Sequence, residues 1–255
     1  MKKFRKTAFT LIELLVVISV ISVLMGILMP VLVRARQQGK DVVCLNNLRQ
    51  MVMAASIYTT DNNGRYPLAY SNYLDFATLT SVESCWDFTV KINWSTSPET
   101  VEIKPGLLWN GTGSGKVQQC PSFKGKSNTA HDPFTGYNYN TSYIGHDGEN
   151  PAQSAKVTEI MTPALTVIFG DGQWAEGANK FMRAPWPNPR DTSLGGAQWA
   201  GTQGYRHCGK TNVAFCDGHV ESRSECYKET LPEGLDKIAE GTGFLSPDNS
   251  LYDLK

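Results

Sequence analysis

A nearly continuous apolar run from Phe9 to Val33 constrains the fold of this chain more than any other feature of its sequence. The run is long enough for a helix to cross a bilayer, because roughly 20 residues span the hydrocarbon core. Four basic residues precede the run, whereas only Arg34 and Arg36 follow it closely. Since basic residues mark the cytoplasmic flank of a membrane span, the N-terminus is predicted to be cytoplasmic. Residues from 34 onward are then predicted to lie in an oxidising, extracytoplasmic space.

The run differs from an ordinary signal peptide in its length and its flanks. Signal-peptide cores have about 7–15 apolar residues and end at an A-x-A-like cleavage site, whereas the sequence after Pro30 continues as VLVRARQQG. A plain membrane anchor remains an alternative, but Glu13 lies inside the run. An ionised carboxylate costs about 2.5–3.5 kcal/mol at the centre of a membrane, and nothing in the span is expected to pair with it. The sequence therefore predicts a partner for Glu13 on another molecule.

The stretch TAFTLIELLVVI, residues 7–18, resembles the prepilin leader of type IV pilins and type II secretion pseudopilins. The resemblance implies that a prepilin peptidase cuts between Ala8 and Phe9 and that Phe9 is N-methylated, although the family usually has Gly where Ala8 stands. It also implies that Glu13 pairs with the terminal ammonium of a neighbouring pilin-like subunit, because such a pair is strongly favoured in a low-dielectric medium. The implied location is the bacterial inner membrane, with a single pass and an extracytoplasmic head.

The helical pattern continues beyond the membrane. Pro30 is expected to kink the helix, and TTDNNG, residues 59–64, is expected to end it. Residues 9–60 would then form one helix about 78 Å long at ~1.5 Å per residue. The predicted segments are a basic leader (1–8), a transmembrane and assembly helix (9–33) and an amphipathic continuation (34–60). The apolar stripe of the continuation, spaced as on one helix face, is Ala35, Val42, Leu45, Leu48, Val52 and Ala55.

The remainder of the chain reads as a β-rich head (61–227) and a turn-rich tail (228–255) that is expected to be partly loose. The head contains NVAFCDGHVE, in which Asp217 and Gly218 separate two apolar runs, the pattern of a β-hairpin. A two-residue turn there would pair Phe215 with Val220 and require positive φ at both turn residues. The predicted fold is α+β, with a long N-terminal helix packed on an antiparallel sheet, as in pilins.

Three further pieces resemble a bacterial subfamily of prepilin-type proteins. The first is CLNNLRQMVMAASIYTTDNNGRYP, residues 44–67, and the second is Cys120-Pro121-Ser122. The third is His207 followed, after nine residues, by Asp217-Gly218. This H-x9-DG signature assigns no role to His207.

Six cysteines in an extracytoplasmic head make disulfide bonds the default prediction. Cys44 and Cys120 occur in the subfamily-like motifs, and on that resemblance they are predicted to pair. Cys208 and Cys226 flank the base of the hairpin and are a second candidate pair. Cys208 and Cys216 are not, because a continuous strand would separate them by about 26 Å at ~3.3 Å per residue.

An enzyme or metal protein is the main alternative among the functional classes. Its candidate residues are His207, Cys208, Cys216, Asp217 and His219, but they lack the C-x2-C or H-E-x-x-H spacing of known sites. A calcium site is a weaker alternative, for which Asp147, Asp171 and Asp217 each precede a glycine. Turn chemistry explains these aspartates without a metal. We therefore expect no enzymatic activity, no metal and no cofactor.

The sequence thus predicts a structural subunit of a type II secretion or type IV pilus-type filament, with secretion slightly favoured by the resemblance. Its predicted partners are a prepilin peptidase and other pilin-like subunits. The zero net charge and the lack of a basic stripe argue against nucleic acid. The alternative is a membrane-anchored surface or binding protein that forms no filament, in which Trp174, Trp186 and Trp199 would stack on sugars.

Overall fold

The computed structural model describes residues 10–109, 117, 119–128, 131–146, 154–175, 177–188 and 197–255. The chain divides into two compact units, Met1–Lys40 and Asp41–Lys255. One long helix, α1 (Leu11–Asp61), begins in the first unit and ends in the second. The C-terminal part of α1 therefore belongs to the same unit as the β-structure.

Helix α1 has the length that the sequence predicts. It continues through Pro30 and ends at Asp61, where Asn63 and Gly64 adopt positive φ angles of 54° and 74°. The predicted stripe is confirmed at Leu48, Val52 and Ala55, whereas Val42 is 66% exposed. The face that is buried is a few residues wider than predicted and contains Cys44, Asn47, Leu48, Met51, Val52, Ala55 and Thr59.

The first sheet is a four-stranded antiparallel meander with the order β1-β2-β3-β4. Its strands are β1 (Tyr70–Asp75), β2 (Thr80–Cys85), β3 (Phe88–Asn93) and β4 (Thr100–Pro105). In β3, alternate side chains are buried at Phe88, Val90 and Ile92, as expected for a strand with one face on a core. These side chains form a small core with Cys85.

The second sheet has five strands in the order β10-β9-β6-β5-β7. The strands are β5 (Asn138–Asn140), β6 (Val167–Gly170), β7 (Phe181–Met182), β9 (Thr211–Phe215) and β10 (Val220–Arg223). All neighbouring pairs are antiparallel except β5 and β7, which run parallel. A separate two-stranded ladder joins β8 (Gln203–Gly204) to β11 (Thr242–Gly243). The α+β class and the mainly antiparallel sheet are confirmed.

The two faces of the five-stranded sheet belong to different cores. Alternation along β9 places Ala214 in a core with the buried face of α1, which also contains Tyr139 and Phe169. Val213 and Phe215 point the other way, into a core with Leu245 and Tyr252.

The C-terminal tail is therefore not loose, contrary to the expectation from its many turn residues. Phe244, Leu245 and Tyr252 are fully buried, and the Tyr252 hydroxyl accepts a hydrogen bond from the backbone N–H of Leu245 at 2.8 Å. The tail is rich in turns because it folds back on itself beneath the sheet, and its apolar residues complete the second core.

A buried group of charges also stabilises the second unit. Lys180 Nζ donates to the carboxylate of Asp87, to Asp132 Oδ1 at 2.9 Å and to the carbonyl oxygen of Phe134 at 2.6 Å. The Lys180, Asp87 and Asp132 side chains are 3%, 1% and 0% exposed, so this pairing is shielded from water. Unpaired charges at such depth would cost several kcal/mol, so each carboxylate depends on the single ammonium.

Candidate functional site

The first described residues form a helix cap around Glu13. Its carboxylate Oε2 accepts hydrogen bonds from the backbone N–H of Thr10 at 2.8 Å and from the Thr10 hydroxyl at 2.7 Å. In return the backbone N–H of Glu13 donates to Thr10 Oγ1 at 3.3 Å. This is the reciprocal capping box of a T-x-x-E sequence. Glu13 thus has a polar partner within its own chain, which the sequence argument missed, but Thr10 is neutral and leaves its charge uncompensated.

The predicted processing residues, Ala8 and Phe9, lie outside the described residues. The apolar side chains that follow are exposed. Leu11, at the start of this run, is 82% exposed, and Val33, at its end, is 52% exposed. Helix α1 is long and apolar enough, by its length and composition, to cross a membrane. No part of its most apolar window is buried against described residues of this chain. This surface is suited to lipid or to the same surface on other chains.

The Asp217-Gly218 hairpin is present, but its predicted register is wrong by one residue. Val220 pairs with Ala214, and the backbone N–H of Phe215 donates to the carbonyl oxygen of His219 at 3.0 Å. The loop therefore has three residues, and only Gly218 has positive φ, at 97°. A three-residue loop needs one left-handed residue where a two-residue type I′ turn needs two, which suits a sequence with a single glycine.

The shift of register moves side chains to opposite faces. His219 now lies beside Phe215, and their rings stack with centroids 4.2 Å apart. Asp217 accepts hydrogen bonds from the backbone N–H of His219 at 3.1 Å and contacts its Nδ1 at 2.6 Å. Gly218 thus has the predicted backbone role, whereas the expectation of positive φ at Asp217 is wrong, because the three-residue loop needs only one left-handed residue.

His207 lies away from this turn, in a cluster of four buried side chains that we call the Cys/His/Asp cluster. Its other members are Cys44, Cys120 and Asp171, and one ligand atom from each lies within 4.8 Å of all the others. His207 Nε2 is 3.1 Å from Asp171 Oδ2 and 3.7 Å from Cys120 Sγ. Cys44 Sγ donates to Asp171 Oδ1 at 3.2 Å. In the part of the chain that the structure describes, no other group of three or more His, Cys, Asp or Glu residues converges in this way.

Four different segments position the cluster. Cys44 lies on the buried face of α1, and Cys120 lies in the loop before β5. Asp171 directly follows β6. His207 begins a tight turn before β9, in which Cys208 and Gly209 adopt positive φ angles of 54° and 80°. The four residues are far apart in the sequence. The pattern of residues within any one element therefore does not predict that they meet.

Arg206 and the thiol of Cys44 affect the pKa values of the other groups in the cluster. Arg206 Nη2 donates to Asp171 Oδ1 at 2.9 Å, and Arg206 Nε donates to Cys120 Sγ at 3.3 Å. A hydrogen bond from Cys44, together with His207 and Arg206, lowers the pKa of Cys120 to about 5. Burial alone would raise the pKa of Asp171, but Arg206 and His207 reverse that effect and hold it below its usual value. Cys120 and Asp171 are therefore anionic at neutral pH.

Burial acts in opposite directions on the two remaining members of the cluster. It raises the pKa of the Cys44 thiol well above its ordinary value. Burial opposes the charge of His207, but hydrogen bonds with Asp171 and Cys120 outweigh it and raise its pKa to about 10.

No disulfide bond is present among the six cysteines, all of which lie in the described part of the chain. The predicted partners Cys44 and Cys120 are nevertheless brought together within the cluster. Their disulfide remains a prediction. The second candidate pair, Cys208 and Cys226, consists of exposed residues, and Cys226 donates to the carbonyl oxygen of Thr242 at 3.5 Å. Cys208 lies in the turn rather than in a strand.

The residues considered for catalysis, for calcium or for sugar stacking are dispersed in the fold. Of the candidate enzyme residues, only His207 belongs to the buried cluster, whereas Asp217 and His219 form an exposed pair. Of the candidate calcium ligands, Asp171 is paired with Arg206, and Asp147 lies outside the described residues. The candidate sugar-stacking residues Trp174 and Trp186 are 38% and 37% exposed.

The tryptophan rings also have partners within the chain. The rings of Trp174 and Trp199 pack on each other with centroids 5.5 Å apart. Trp186 Nε1 donates to the carbonyl oxygen of Pro247 at 2.9 Å.

Two comparisons with known proteins match parts of this chain. A family model described as the prokaryotic N-terminal methylation motif matches residues 3–29. A curated relative, the type IV wide pilus major component PilA4 of Thermus thermophilus, is 44% identical over 55 residues, which are 22% of this chain and 42% of the relative. The chain thus spans less than half of the length of the relative that it matches. No solved structure matches this chain.

The signature residues His207, Asp217 and Gly218 lie outside the matched motif, which ends at residue 29. The motif does include Glu13 and most of the exposed apolar surface. This chain therefore carries the N-terminal methylation motif of prokaryotic pilins and is homologous to a type IV pilin over part of its length.

Proposed function

We propose that this protein is a structural, non-enzymatic subunit of a filament of the type IV pilus or type II secretion class. A prepilin peptidase would remove the leader, residues 1–8, and Phe9 would then be N-methylated. The observation that carries the proposal is the methylation motif at residues 3–29, which overlaps an apolar helix surface that the described chain leaves uncovered. Such a surface is costly in water, and packing against neighbouring helices in a membrane or filament removes that cost.

Glu13 gives this packing its register. Thr10 contributes only neutral hydrogen bonds to its carboxylate, so a full positive charge is still required in an apolar medium. Cleavage before Phe9 would create an ammonium group on each subunit. A neighbouring ammonium would therefore pair with Glu13 and fix the position of one helix along the next.

The proposed location is the inner membrane, crossed once, with the N-terminus in the cytoplasm and the second unit outside. The basic residues before the apolar run support this orientation. Pili and secretion pseudopili share this assembly principle. The two tests described next therefore apply to either filament.

The first test is the mass of the N-terminal peptide of the protein extracted from membranes. We expect a peptide that begins with N-methylated Phe9. A peptide that begins with Met1 would favour the plain membrane anchor instead.

The second test separates the charge of Glu13 from its role in the helix cap. Glu13→Gln can keep the capping box, since glutamine also serves at this position, but it removes the charge. We expect Glu13→Gln to stay in the membrane and to fall at least about tenfold in sheared filaments, because ~1.4 kcal/mol corresponds to a factor of ten. Thr10→Ala is the matched control, since it removes the cap and keeps the charge.

Thr10→Ala should retain at least roughly a fifth of wild-type assembly, because a cap contributes about 1 kcal/mol. Equal recovery of Glu13→Gln and wild type in sheared filaments would contradict the proposal. A wild-type protein that is cut at Phe9 but never recovered in filaments would favour a membrane-anchored binding protein.

A further inference from the structure

The Cys/His/Asp cluster has the composition of a structural zinc site. We propose that it binds one zinc ion through Cys44 Sγ, Cys120 Sγ, His207 Nε2 and one carboxylate oxygen of Asp171. Thiolate, imidazole and carboxylate groups are the ligands that zinc takes in proteins. The two sulfur atoms disfavour calcium and magnesium, which take oxygen ligands. The proposal replaces the expectation that the protein binds no metal, which was drawn from the irregular spacing of the His, Cys and Asp residues between His207 and His219.

The distances between the donor atoms match a tetrahedral ion. Zinc lies about 2.3 Å from sulfur and about 2.0–2.2 Å from nitrogen or oxygen, so neighbouring ligand atoms lie roughly 3.3–3.8 Å apart. In the cluster, Cys44 Sγ is 3.2 Å from one Asp171 oxygen, and His207 Nε2 is 3.1 Å from the other. Cys120 Sγ is 3.7 Å from His207 Nε2. Coordination therefore requires only small movements of side chains.

The imidazole of His207 is oriented as in a metal site. Nε2 faces the other members of the cluster, and Nδ1 lies 3.4 Å from the carboxylate of Asp41. Nδ1 is buried and makes no hydrogen bond with good geometry among the described residues. Metal-binding histidines commonly donate this second N–H to a carboxylate, which fixes the tautomer and leaves the other nitrogen for the metal. Asp41 is therefore the positioning residue of the site.

Arg206 balances the charge of the bound site. Two thiolates, one carboxylate and a doubly charged zinc ion leave a single negative charge in a buried position. Arg206 lies directly beside it, with hydrogen bonds to Cys120 Sγ at 3.3 Å and to Asp171 Oδ1 at 2.9 Å. The site with its arginine is then neutral, which lowers the cost of burial.

The cluster is closed to solvent, since all four ligand residues are buried. Four protein ligands in such surroundings are typical of structural zinc, whereas catalytic zinc keeps one position open for water. The ion would join α1 to the loop before β5, the end of β6 and the turn before β9. Its binding free energy would therefore contribute to the stability of the second unit.

A disulfide bond between Cys44 and Cys120 is the competing use of the same two sulfurs. The two sulfurs contact each other, and each also contacts further polar groups: Cys44 contacts Asp171, and Cys120 contacts His207 and Arg206. These additional contacts favour an ion held among the four groups over a bond between the two sulfurs. The experiment distinguishes the two directly.

The test is the metal content and the cobalt spectrum of the full-length protein in detergent, purified without a metal-affinity tag or chelator. We expect about one zinc per chain, as for a single four-ligand site. After reduction, chelation and loading with Co²⁺, the protein should show the visible bands of tetrahedral cobalt and a thiolate-to-cobalt charge-transfer band. These bands report sulfur ligands and would not arise from adventitious binding to carboxylates.

Three variants and one control test the assignment of residues. Cys120→Ser and His207→Gln should lose the cobalt spectrum, and Asp41→Asn should lower zinc affinity roughly 10–100-fold through its effect on His207. Cys85→Ser is the matched control, because Cys85 is a buried cysteine outside the cluster and should leave zinc binding unchanged.

Three results would overturn the proposal without any variant. The first is a reduced, zinc-loaded wild-type protein that retains no zinc after gel filtration, and the second is a cobalt complex without a charge-transfer band. The third is a peptide map of protein alkylated directly from cell envelopes in which Cys44 is joined to Cys120. If a variant fails to fold, these wild-type measurements still decide the question.

Discussion

Glu13 and Asp171 are two carboxylates in apolar segments, and their surroundings show how the N-terminal helix differs from the second unit. Glu13 is exposed, and its hydrogen bonds among the described residues come from Thr10, three residues away. Asp171 is fully buried and contacts Arg206, His207 and the backbone N–H of Asn212. The charge of Asp171 is compensated by Arg206, whereas Glu13 is not paired with a charged group among the described residues.

The same contrast holds for apolar surface. The side chains of α1 from Leu11 to Val33 are exposed, whereas the face of α1 from Cys44 to Thr59 is buried in a core. Among the described residues, the second unit thus has a buried charge network and buried apolar cores, whereas the apolar side chains of the first unit are exposed. Substitutions in the second unit should therefore act mainly on stability, and those in the first unit mainly on assembly.

The largest effect should come from Lys180→Met. This change leaves the buried carboxylates of Asp87 and Asp132 without their ammonium, at a cost of about 3–5 kcal/mol in the free energy of unfolding. Urea unfolding of the full-length protein in detergent, followed by tryptophan fluorescence, measures it.

Lys104→Met is the control for the loss of a charge. Lys104 forms an exposed ion pair with Glu102 at 3.0 Å, so its removal should cost no more than about 1 kcal/mol. If the two variants unfold at the same urea concentration, internal charge pairing does not stabilise the second unit as inferred.

Replacing one glycine in each of the two units with alanine should have an intermediate effect on stability. Gly218 has φ of 97°, so Gly218→Ala should destabilise the second unit by about 1 kcal/mol through backbone strain, although space for the methyl group is open. Gly39 lies inside α1 with nothing within 4 Å of an added methyl group. Gly39→Ala should therefore stabilise the helix by roughly 0.5–1 kcal/mol.

Two measurements check this pair. The urea concentration at the unfolding midpoint measures the destabilisation by Gly218→Ala. The rate of hydrogen exchange of backbone amides near residue 39 measures the stabilisation by Gly39→Ala. A stabilising Gly218→Ala would show that the turn does not require a left-handed residue.

The smallest effect should come from Asp217→Asn. Burial opposes the charge of Asp217, but hydrogen bonds from His219 hold its pKa below the ordinary value of 3.8. A carboxyl with a depressed pKa contributes stability above its ordinary pKa, and this contribution is lost as the pH falls through the folded-state pKa. Because the pair is exposed, the contribution should be no more than about 0.5 kcal/mol.

Asparagine can still accept the backbone hydrogen bond of His219, so the variant isolates the charge. Urea midpoints at pH 6 should be slightly lower for Asp217→Asn than for wild type, and the gap should close in strongly acidic buffer. If the difference between the two urea midpoints increased in acid, the inferred lowering of the Asp217 pKa would be contradicted.

Sequence reasoning predicted the parts of the fold that depend on local pattern. The period of apolar residues predicted α1, the turn residues TTDNNG predicted its end near Asp61, and Asp217-Gly218 predicted a hairpin. The register was wrong because the dipeptide alone does not determine whether the loop has two or three residues. The burial of Phe244 and Tyr252 was missed because turn residues indicate local geometry and not what packs beneath them.

The cluster shows where such reasoning stops. His207, Cys44 and Cys120 were each selected from the sequence, and Asp171 was considered as a turn residue. Their meeting depends on contacts between residues that are 127 and 87 positions apart, which only the folded sheet and helix bring together. A search for ligand spacing within one segment cannot detect a site to which four segments contribute one residue each.

The capping box at Thr10 and Glu13 has a kinetic consequence. Free helix ends fray, and a frayed end would leave the Glu13 side chain to sample many orientations before a partner arrives. The reciprocal hydrogen bonds close the first turn in the isolated chain, so part of the ordering entropy is lost before association and not during it. In the proposed filament, each incoming subunit would then meet a carboxylate that is already held in place, and loss of the cap should slow the addition of subunits more than it weakens the finished filament.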